Sequence, residues 1–182
     1  LRAIIDRHEA LRTVFGEQDG EPVQMVLSDY RFDLPLYDLA FEASEQSIPE
    51  TEQSAWIDDR IRELGYTDAN TPFDLSRDLM VRGQLIKVKE SEYVLLLNMH
   101  HIASDGWSIG VLIREFCELY KAGIDGRDAN LSPLKIQYGD FSYWQRKWLS
   151  GERYELQIQY WKNQLDGLTP LLEVPTDRPR PA

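Results

Sequence analysis

Several large protein classes are excluded by what this sequence has little of. Cys117 is the single cysteine, so the chain is not a disulfide scaffold. Lys and Arg number 20 against 31 Asp and Glu, a net charge of −11, so no basic excess is present to bind a phosphate backbone. No apolar run approaches the roughly 18 residues that a membrane span needs. We therefore expect neither a nucleic-acid partner nor a membrane partner.

Motifs for export and for common ligands are also missing. Arg2, Asp6, Arg7 and Glu9 interrupt the first apolar residues, so no signal peptide is recognised and a reducing, cytoplasmic setting is expected. No glycine-rich phosphate loop and no Gly-x-Ser-x-Gly elbow occur. Helical periodicity begins at Leu1, so we expect the chain to be part of something longer.

What remains is the composition of a globular domain. The 182 residues are 42% hydrophobic and 11% aromatic, which is enough to build a core and too much for a disordered segment. Hydrophobic periodicity predicts helices at 1–11, 50–64, 109–120, 138–149 and 154–165, and strands at 13–15, 23–27, within 31–39, 79–88 and 93–99. Gly65 and Gly123 are the predicted ends of two helices. This mixture predicts an α/β or α+β two-layer sandwich, a mixed sheet with helices packed mainly on one face.

The segment Met99–Ser108 holds the strongest candidate for chemistry. Two of the three histidines, His100 and His101, are adjacent there, after a predicted strand and before a predicted helix. Histidine suits proton transfer near neutral pH, and Asp105 follows closely enough to orient a ring or fix the loop. The plainer alternative is a hydrogen-bonded structural histidine. No metal site is expected, because neighbouring side chains in an extended backbone point to opposite faces. Cys117 lies on the predicted apolar helix stripe, which indicates core packing.

Three motifs in order resemble the condensation domains of nonribosomal peptide synthetases, members of the chloramphenicol acetyltransferase-like superfamily. The family signature His-His-x-x-x-Asp-Gly, followed by Trp-Ser, matches 100–108. Arg-His-x-x-Leu-Arg-Thr-x-Phe matches 7–15, and Tyr-x-Asp-Phe/Tyr-x-x-Trp matches 138–144. The Pro-Phe-Asp-Leu stretch from Pro72 and the closing Pro-Thr-Asp-Arg-Pro-Arg-Pro are also similar to the family.

The resemblance implies a partial domain. Condensation domains have two lobes and about twice this length, so 1–168 correspond to the N-terminal lobe without its first strand. Four of the nine prolines lie in the last 13 residues, which indicates a linker. Residues 169–182 then correspond to the Pro-rich crossover to an absent C-terminal lobe, and the isolated chain is expected to be inactive.

The implied reaction is amide-bond formation between two carrier-bound substrates. An upstream peptidyl carrier protein presents an acyl or peptidyl thioester on a 4′-phosphopantetheine arm, and a downstream carrier presents an aminoacyl thioester whose amine attacks. No cofactor is bound by the chain itself, and an adenylation domain is expected next to it. No metal is implied.

The resemblance also assigns roles to individual residues. His101 is the catalytic position, in an active-site loop with His100, Asp105, Gly106, Trp107 and Ser108. Asp105 is expected to fix the loop through hydrogen bonds or an arginine, and the Gly106 N–H to approach the donor carbonyl. The structural motif positions are Arg7, His8, Arg12, Tyr138, Asp140 and Trp144. Helical periodicity by itself predicts that Tyr138 and Trp144 lie in the core.

Other functions of the same fold stay open. An epimerisation domain also carries His-His-x-x-x-Asp-Gly, although Arg7-His8-Glu9 and Trp107-Ser108 favour condensation. A non-catalytic carrier-docking module is a further alternative, against which the intact His101 argues. A heterocyclisation domain would have Asp in place of both histidines, and a free-standing acyltransferase of the chloramphenicol acetyltransferase type usually has a single His-x-x-x-Asp.

Overall fold

The computed structural model describes residues 1–169 together with 175, 177 and 178. Two compact units are present, Leu1–Gly139 and Asp140–Ala182. The elements in chain order are α1 (Arg2–Arg7), a 3₁₀ turn (Glu9–Arg12), β1 (Thr13–Gln18), β2 (Glu21–Val26), β3 (Leu36–Asp38), α2 (Leu39–Glu45), α3 (Glu50–Asn70), β4 (Val81–Lys89), β5 (Glu92–Met99), α4 (Gly106–Asp125), α5 (Tyr138–Trp148) and α6 (Glu152–Leu165). Most of the predicted linker 169–182 lies outside the described residues.

The strands form a mixed sheet and a separate hairpin. In the sheet the order is β3-β4-β5, with β3 parallel to β4 and β5 antiparallel to β4. In the hairpin, β1 and β2 pair antiparallel across a turn where Asp19 and Gly20 have φ angles of 55° and 81°. The predicted mixed α/β class is confirmed.

Helices cover both faces of the sheet. Apolar residues of β4 and β5 alternate between the two faces, so each face needs cover. One face packs against α2 and α3 through Leu39, Trp56, Ile57, Ile61, Leu64, Ile86, Val88, Val94 and Leu96. The other packs against α1 and α4 through Ile4, Ile5, Val81, Leu97, Met99, Leu112, Phe116 and Leu119. We expected helices mainly on one face of the sheet, whereas the described helices pack against both faces.

Three predicted helix boundaries differ from the structure. The first helix is broken at His8, whose φ of −106° and ψ of 96° are extended, and a 3₁₀ turn follows. Helix α3 runs through Gly65 to Asn70, since a glycine inside a helix costs only about 1 kcal/mol. Helix α4 passes Gly123 and ends at Gly126, which takes the left-handed conformation with φ 63°.

The apolar stripe predicted for α4 faces the core only in part. Leu112, Glu115 and Ala122 are its buried residues. Cys117 is exposed, so it does not pack in the core as expected. Leu112 and Phe116 of the predicted stripe pack in the core as expected, whereas Ile109, Ile113 and Tyr120 are exposed.

Helix α5 departs from the prediction in the same way. Tyr138 and Trp144 are exposed by 55% and 53%, so neither is a core residue. The aromatic rings instead pack along their own helix, with Phe141 5.8 Å from Trp144 and Trp144 5.7 Å from Trp148 between ring centroids. A periodic aromatic stripe thus reflects contacts within the helix here.

Candidate active site

The loop between β5 and α4 is tied to the sheet at its first residue. The His100 N–H donates to the Met80 carbonyl at 3.0 Å, which holds the end of β5 against the start of β4. The His100 carbonyl then accepts the Ala103 N–H and the Ser104 hydroxyl, both at 3.1 Å. These bonds close a tight turn with His101 and Ile102 at its tip.

The His100 ring is held inside this turn. Its Nδ1 accepts the Ile102 N–H at 3.0 Å, which requires a lone pair on Nδ1 and selects the tautomer with the proton on Nε2. The Phe73 ring meets the imidazole edge-on, with centroids 5.6 Å apart. His100 is therefore committed to structural contacts.

His101 differs from its neighbour in every one of these respects. Its side chain is exposed, and its ring makes no hydrogen bond to any residue that the structure describes. The charge of His101 is one of the causes that lower the pKa of Asp105, so the ring and that carboxylate interact electrostatically. The loop thus presents one engaged histidine and one with both ring nitrogens available.

Asp105 is the N-cap of α4. Its carboxylate accepts the Ser108 N–H at 2.8 Å and the Ser108 hydroxyl at 2.6 Å, as expected of an N-cap aspartate. These hydrogen bonds, chiefly the one from the hydroxyl, hold the pKa of Asp105 below its ordinary value. Hydrogen bonds within the first turn of α4, without an arginine among the described residues, therefore fix this side chain.

Gly106 and Trp107 open helix α4 on the solvent side. A Cβ built on Gly106 would meet no atom within 4 Å, so the space beside its backbone is open. Trp107 is 85% exposed. The first N–H groups of a helix lack partners inside it, and here the Asp105 carboxylate already accepts the one from Ser108.

The motif that begins at Arg7 is joined to the middle of α4. The Arg7 Nε lies 3.1 Å and the His8 Nε2 2.7 Å from the buried Glu115 carboxylate. Burial alone would raise the pKa of Glu115, but the His8 hydrogen bond and the charges of His8 and Arg7 outweigh it, so the pKa is lowered. Glu115 is not predicted from the sequence as a site residue; the one available signal is a carboxylate flanked by Leu112 and Leu119 on the same helix side.

Other motif residues hold the neighbouring backbone. Arg12 donates from Nη1 to the Leu27 carbonyl at 2.7 Å, which fastens the end of the hairpin. Gln137 donates to the Arg7 carbonyl at 2.9 Å and accepts the Glu9 N–H at 3.2 Å. It directly precedes Tyr138, where α5 begins, and Asp140 lies in the first turn of that helix. The structure therefore brings Arg7 and His8 to α4, whereas Tyr138, Asp140 and Trp144 share α5.

Metal clusters and membrane spans are both absent from the described residues. No group of three or more His, Cys, Asp or Glu side chains could hold a metal ion in the part of the chain that the structure describes. None of the described helices is long and apolar enough to cross a membrane.

Comparison with known proteins decides the family. The model of the Condensation domain family matches residues 1–182. The chain belongs to the condensation domain family. The family predicted from the three motifs is thereby confirmed.

Curated relatives of this condensation domain chain are peptide synthetases. It is 46% identical over 182 residues to one of the linear gramicidin synthase proteins of Brevibacillus parabrevis, covering 100% of the chain and 2% of the relative. It is 40% identical over 182 residues to malpinin synthetase of Mortierella alpina, again covering 100% of the chain and 2% of the relative. The chain therefore spans a small part of the proteins that it matches.

Solved structures share the fold. The X-domain from teicoplanin biosynthesis is 30% identical with a TM-score of 0.71, covering 100% of this chain and 37% of that one. The epimerization domain from the third module of tyrocidine synthetase is 26% identical with a TM-score of 0.73, covering 97% and 37%. The starter condensation domain of rhizomide synthetase has a TM-score of 0.75 at 17% identity, covering 93% and 38%, which shows the fold alone.

Proposed function

We propose that residues 1–168 are the N-terminal lobe of a condensation domain in a nonribosomal peptide synthetase, and that 169–182 cross over to a second lobe. The structural matches cover nearly all of this chain but only 37% or 38% of the matching structures, which supports a partial domain. The proposed reaction joins a carrier-bound acyl or peptidyl thioester to a carrier-bound aminoacyl amine. Both substrates arrive on 4′-phosphopantetheine arms of peptidyl carrier proteins, with an adenylation domain as neighbour in a multimodular enzyme.

The chemistry sets a modest demand on the protein. A free α-amine has a pKa of about 7.7–8.0, so part of it is already neutral and nucleophilic near pH 7. After attack on the thioester carbonyl, the nitrogen carries a positive charge and must lose a proton. A neutral imidazole within reach accepts that proton, the tetrahedral intermediate collapses with loss of the donor arm's thiolate, and the imidazolium returns the proton to the sulfur. Positioning the two arms together contributes as much as the base does.

His101 is the residue that we assign to proton acceptance. The observation that carries this assignment is the contrast within the pair: His100 uses Nδ1 for the Ile102 N–H, whereas the exposed His101 ring keeps its nitrogens available. His101 lies close enough to Asp105 to contribute to the lowered pKa of that carboxyl group.

The start of α4 is the part that we assign to the developing oxyanion. Gly106 offers a backbone N–H at a helix N-terminus, and its lack of a side chain keeps the approach open. A backbone N–H aimed at the developing oxygen stabilises the negative charge of the tetrahedral intermediate.

The test is His101→Ala in a two-lobed domain, assayed with loaded donor and acceptor carriers. We expect condensation to slow by about 10²–10⁴-fold, the usual worth of a general base. The melting temperature should stay unchanged, because the exposed ring makes no hydrogen bond among the described residues. His100→Ala is the contrasting variant, expected to lower the melting temperature through loss of the Ile102 and Phe73 contacts. A folded, fully active His101→Ala enzyme contradicts the assignment.

A non-catalytic docking role is the second candidate, favoured by the teicoplanin X-domain. That domain is 28% identical to this chain in a structure of its complex with OxyB. A docking module would bind carriers or other proteins with no turnover in the same assay. Epimerisation, suggested by the tyrocidine synthetase neighbour, would invert the donor without forming an amide bond, which chiral analysis of the released product detects.

A further inference from the structure

The Pro72–Leu75 segment has no role in the reaction proposed above, yet both of its ends are tied down. The Pro72 carbonyl accepts Nη1 of Arg82 at 3.2 Å, and the Leu75 carbonyl accepts the Phe15 N–H at 2.8 Å. Asp74 closes a turn by accepting the Ser76 N–H at 3.0 Å and the Ser76 hydroxyl at 2.6 Å. Phe73 therefore lies in a segment whose backbone is held by hydrogen bonds on both sides of it.

The Phe73 ring lies between a guanidinium group and the His100 imidazole. The Arg82 guanidinium carbon is 3.9 Å from the ring centroid, a cation–π distance. The His100 ring meets Phe73 edge-on at 5.6 Å between centroids. Because Arg82 packs against its face, the Phe73 ring has little freedom to move, and it therefore holds the His100 ring at its edge in place.

Arg82 is itself fixed by the C-terminal end of α3. Its Nη2 donates to the Thr71 carbonyl at 2.7 Å and to the Asp68 carbonyl at 3.0 Å. Its Nε lies 3.4 Å from the Asp68 carboxylate. These contacts use the planar fork of arginine, which a lysine cannot reproduce.

The packing of Phe73 against His100 also affects His101, because the two histidines belong to the same turn. Rotation of the His100 ring would break the Ile102 N–H bond to Nδ1, and that bond spans His101. The backbone that carries the exposed histidine is thus held by a side chain that Phe73 packs against.

We infer that Phe73, held by Arg82, is a positioning residue that fixes the turn from His100 to Ile102 and thereby the direction of the His101 ring. The inference rests on the proposed role of His101, and it also makes a claim about His100 that is independent of catalysis.

The first experiment measures condensation by Phe73→Leu in the two-lobed domain. We expect kcat to fall about 10- to 100-fold, the scale for a small misplacement of a reacting group. The KM for the acceptor carrier should stay unchanged, and Phe73→Tyr, which keeps the ring, should restore most of the rate. Phe41→Leu makes the same change at an exposed site on α2 and serves as the control. A Phe73→Leu enzyme with the wild-type kcat overturns the inference.

The second experiment reads His100 directly, by nitrogen-15 NMR of the histidine rings in this chain. We expect the wild-type His100 to show the tautomer protonated on Nε2, and Phe73→Leu to show averaged tautomers. Unchanged His100 signals in Phe73→Leu overturn the inference even if the proposed reaction is right. If His101→Ala is fully active while His100 responds as expected, the proposed reaction fails and the positioning of the turn stands.

Arg82→Lys provides a second variant in case Phe73→Leu does not fold. It keeps the positive charge beside Asp68 but loses the fork that binds the carbonyls of Thr71 and Pro72. The same fall in kcat and the same change at His100 are expected. An Arg82→Lys protein with the wild-type kcat and the wild-type His100 signals overturns the inference.

Discussion

Glu115→Gln should destabilise the chain, because Glu115 is the buried partner of two basic side chains. Its side chain is 6% accessible, and it accepts Arg7 Nε at 3.1 Å and His8 Nε2 at 2.7 Å. Glutamine has nearly the same shape, so the change removes charge without opening a cavity. What is lost is the electrostatic part of two contacts that join α1 to α4.

The size of the loss follows from how far the partners reach solvent. Removing one member of a fully buried pair costs about 3–5 kcal/mol. Arg7 and His8 are 18% and 23% accessible, so each regains some hydration once the carboxylate is gone. We therefore expect a loss of about 2–3 kcal/mol in unfolding free energy, the range of hydrogen bonds to charged groups. For a chain of this size that lowers the melting temperature by about 4–12 °C.

The measurement is thermal and urea unfolding of both proteins across a pH range. The pKa of Glu115 is lowered in the folded state, so its contribution is present above its ordinary value of 4.5 and is lost as the pH falls. The gap between wild type and Glu115→Gln should close below that pH. Glu45→Gln, at an exposed position on α2, is the matched control. A loss at pH 7 no larger than that of the control would refute the reasoning.

Two further predictions concern Asp105 and Tyr30. Asp105→Ala should lower the melting temperature by about 2–4 °C through loss of the helix cap, whereas Asp105→Asn keeps the cap and its stability. Equal melting temperatures for both variants would contradict the capping role. A large loss of condensation in a stable Asp105→Asn would show that the charge beside His101 matters. Burial, followed by the hydrogen bond to Asp6, raises the pKa of Tyr30 to about 12. The contribution of Tyr30 to the stability of the fold is therefore complete below the usual pKa of 10 and is lost as the pH rises toward 12. The stability advantage of wild type over Tyr30→Phe should disappear in that range, which unfolding followed by circular dichroism can measure.

Elements with a strong local signal can be predicted from the sequence. The two long strands joined at 89–92 are predicted within two residues of their observed bounds, because alternation and a polar turn are encoded locally. The ends of α3 and α4 are not, because a glycine inside a helix and one that ends it look alike in sequence. Gly65 stays helical and Gly126 turns left-handed, and only the backbone conformation separates the two.

Within the candidate site, the histidine loop is recognisable from sequence, and the family resemblance assigns catalysis to His101. The strand-to-helix position and the N-cap sequence Asp-Gly-Trp-Ser are local features. The contacts that engage His100 could not be predicted, because one is a hydrogen bond set by the shape of the turn and the other is made by Phe73 from a distant segment.

The orientation of α4 is only partly predictable from the sequence. Of the stripe that periodicity predicts, Leu112 and Phe116 pack in the core, whereas Ile109, Ile113 and Tyr120 are exposed. The buried side also contains Glu115, whose partner Arg7 is 108 positions away along the chain. A carboxylate is costly to bury without such partners, so hydrophobic patterning by itself does not place one inside. Hydrophobic patterning thus predicts the helix and part of its buried side, while the burial of Glu115 depends on a long-range ion pair that no local pattern shows.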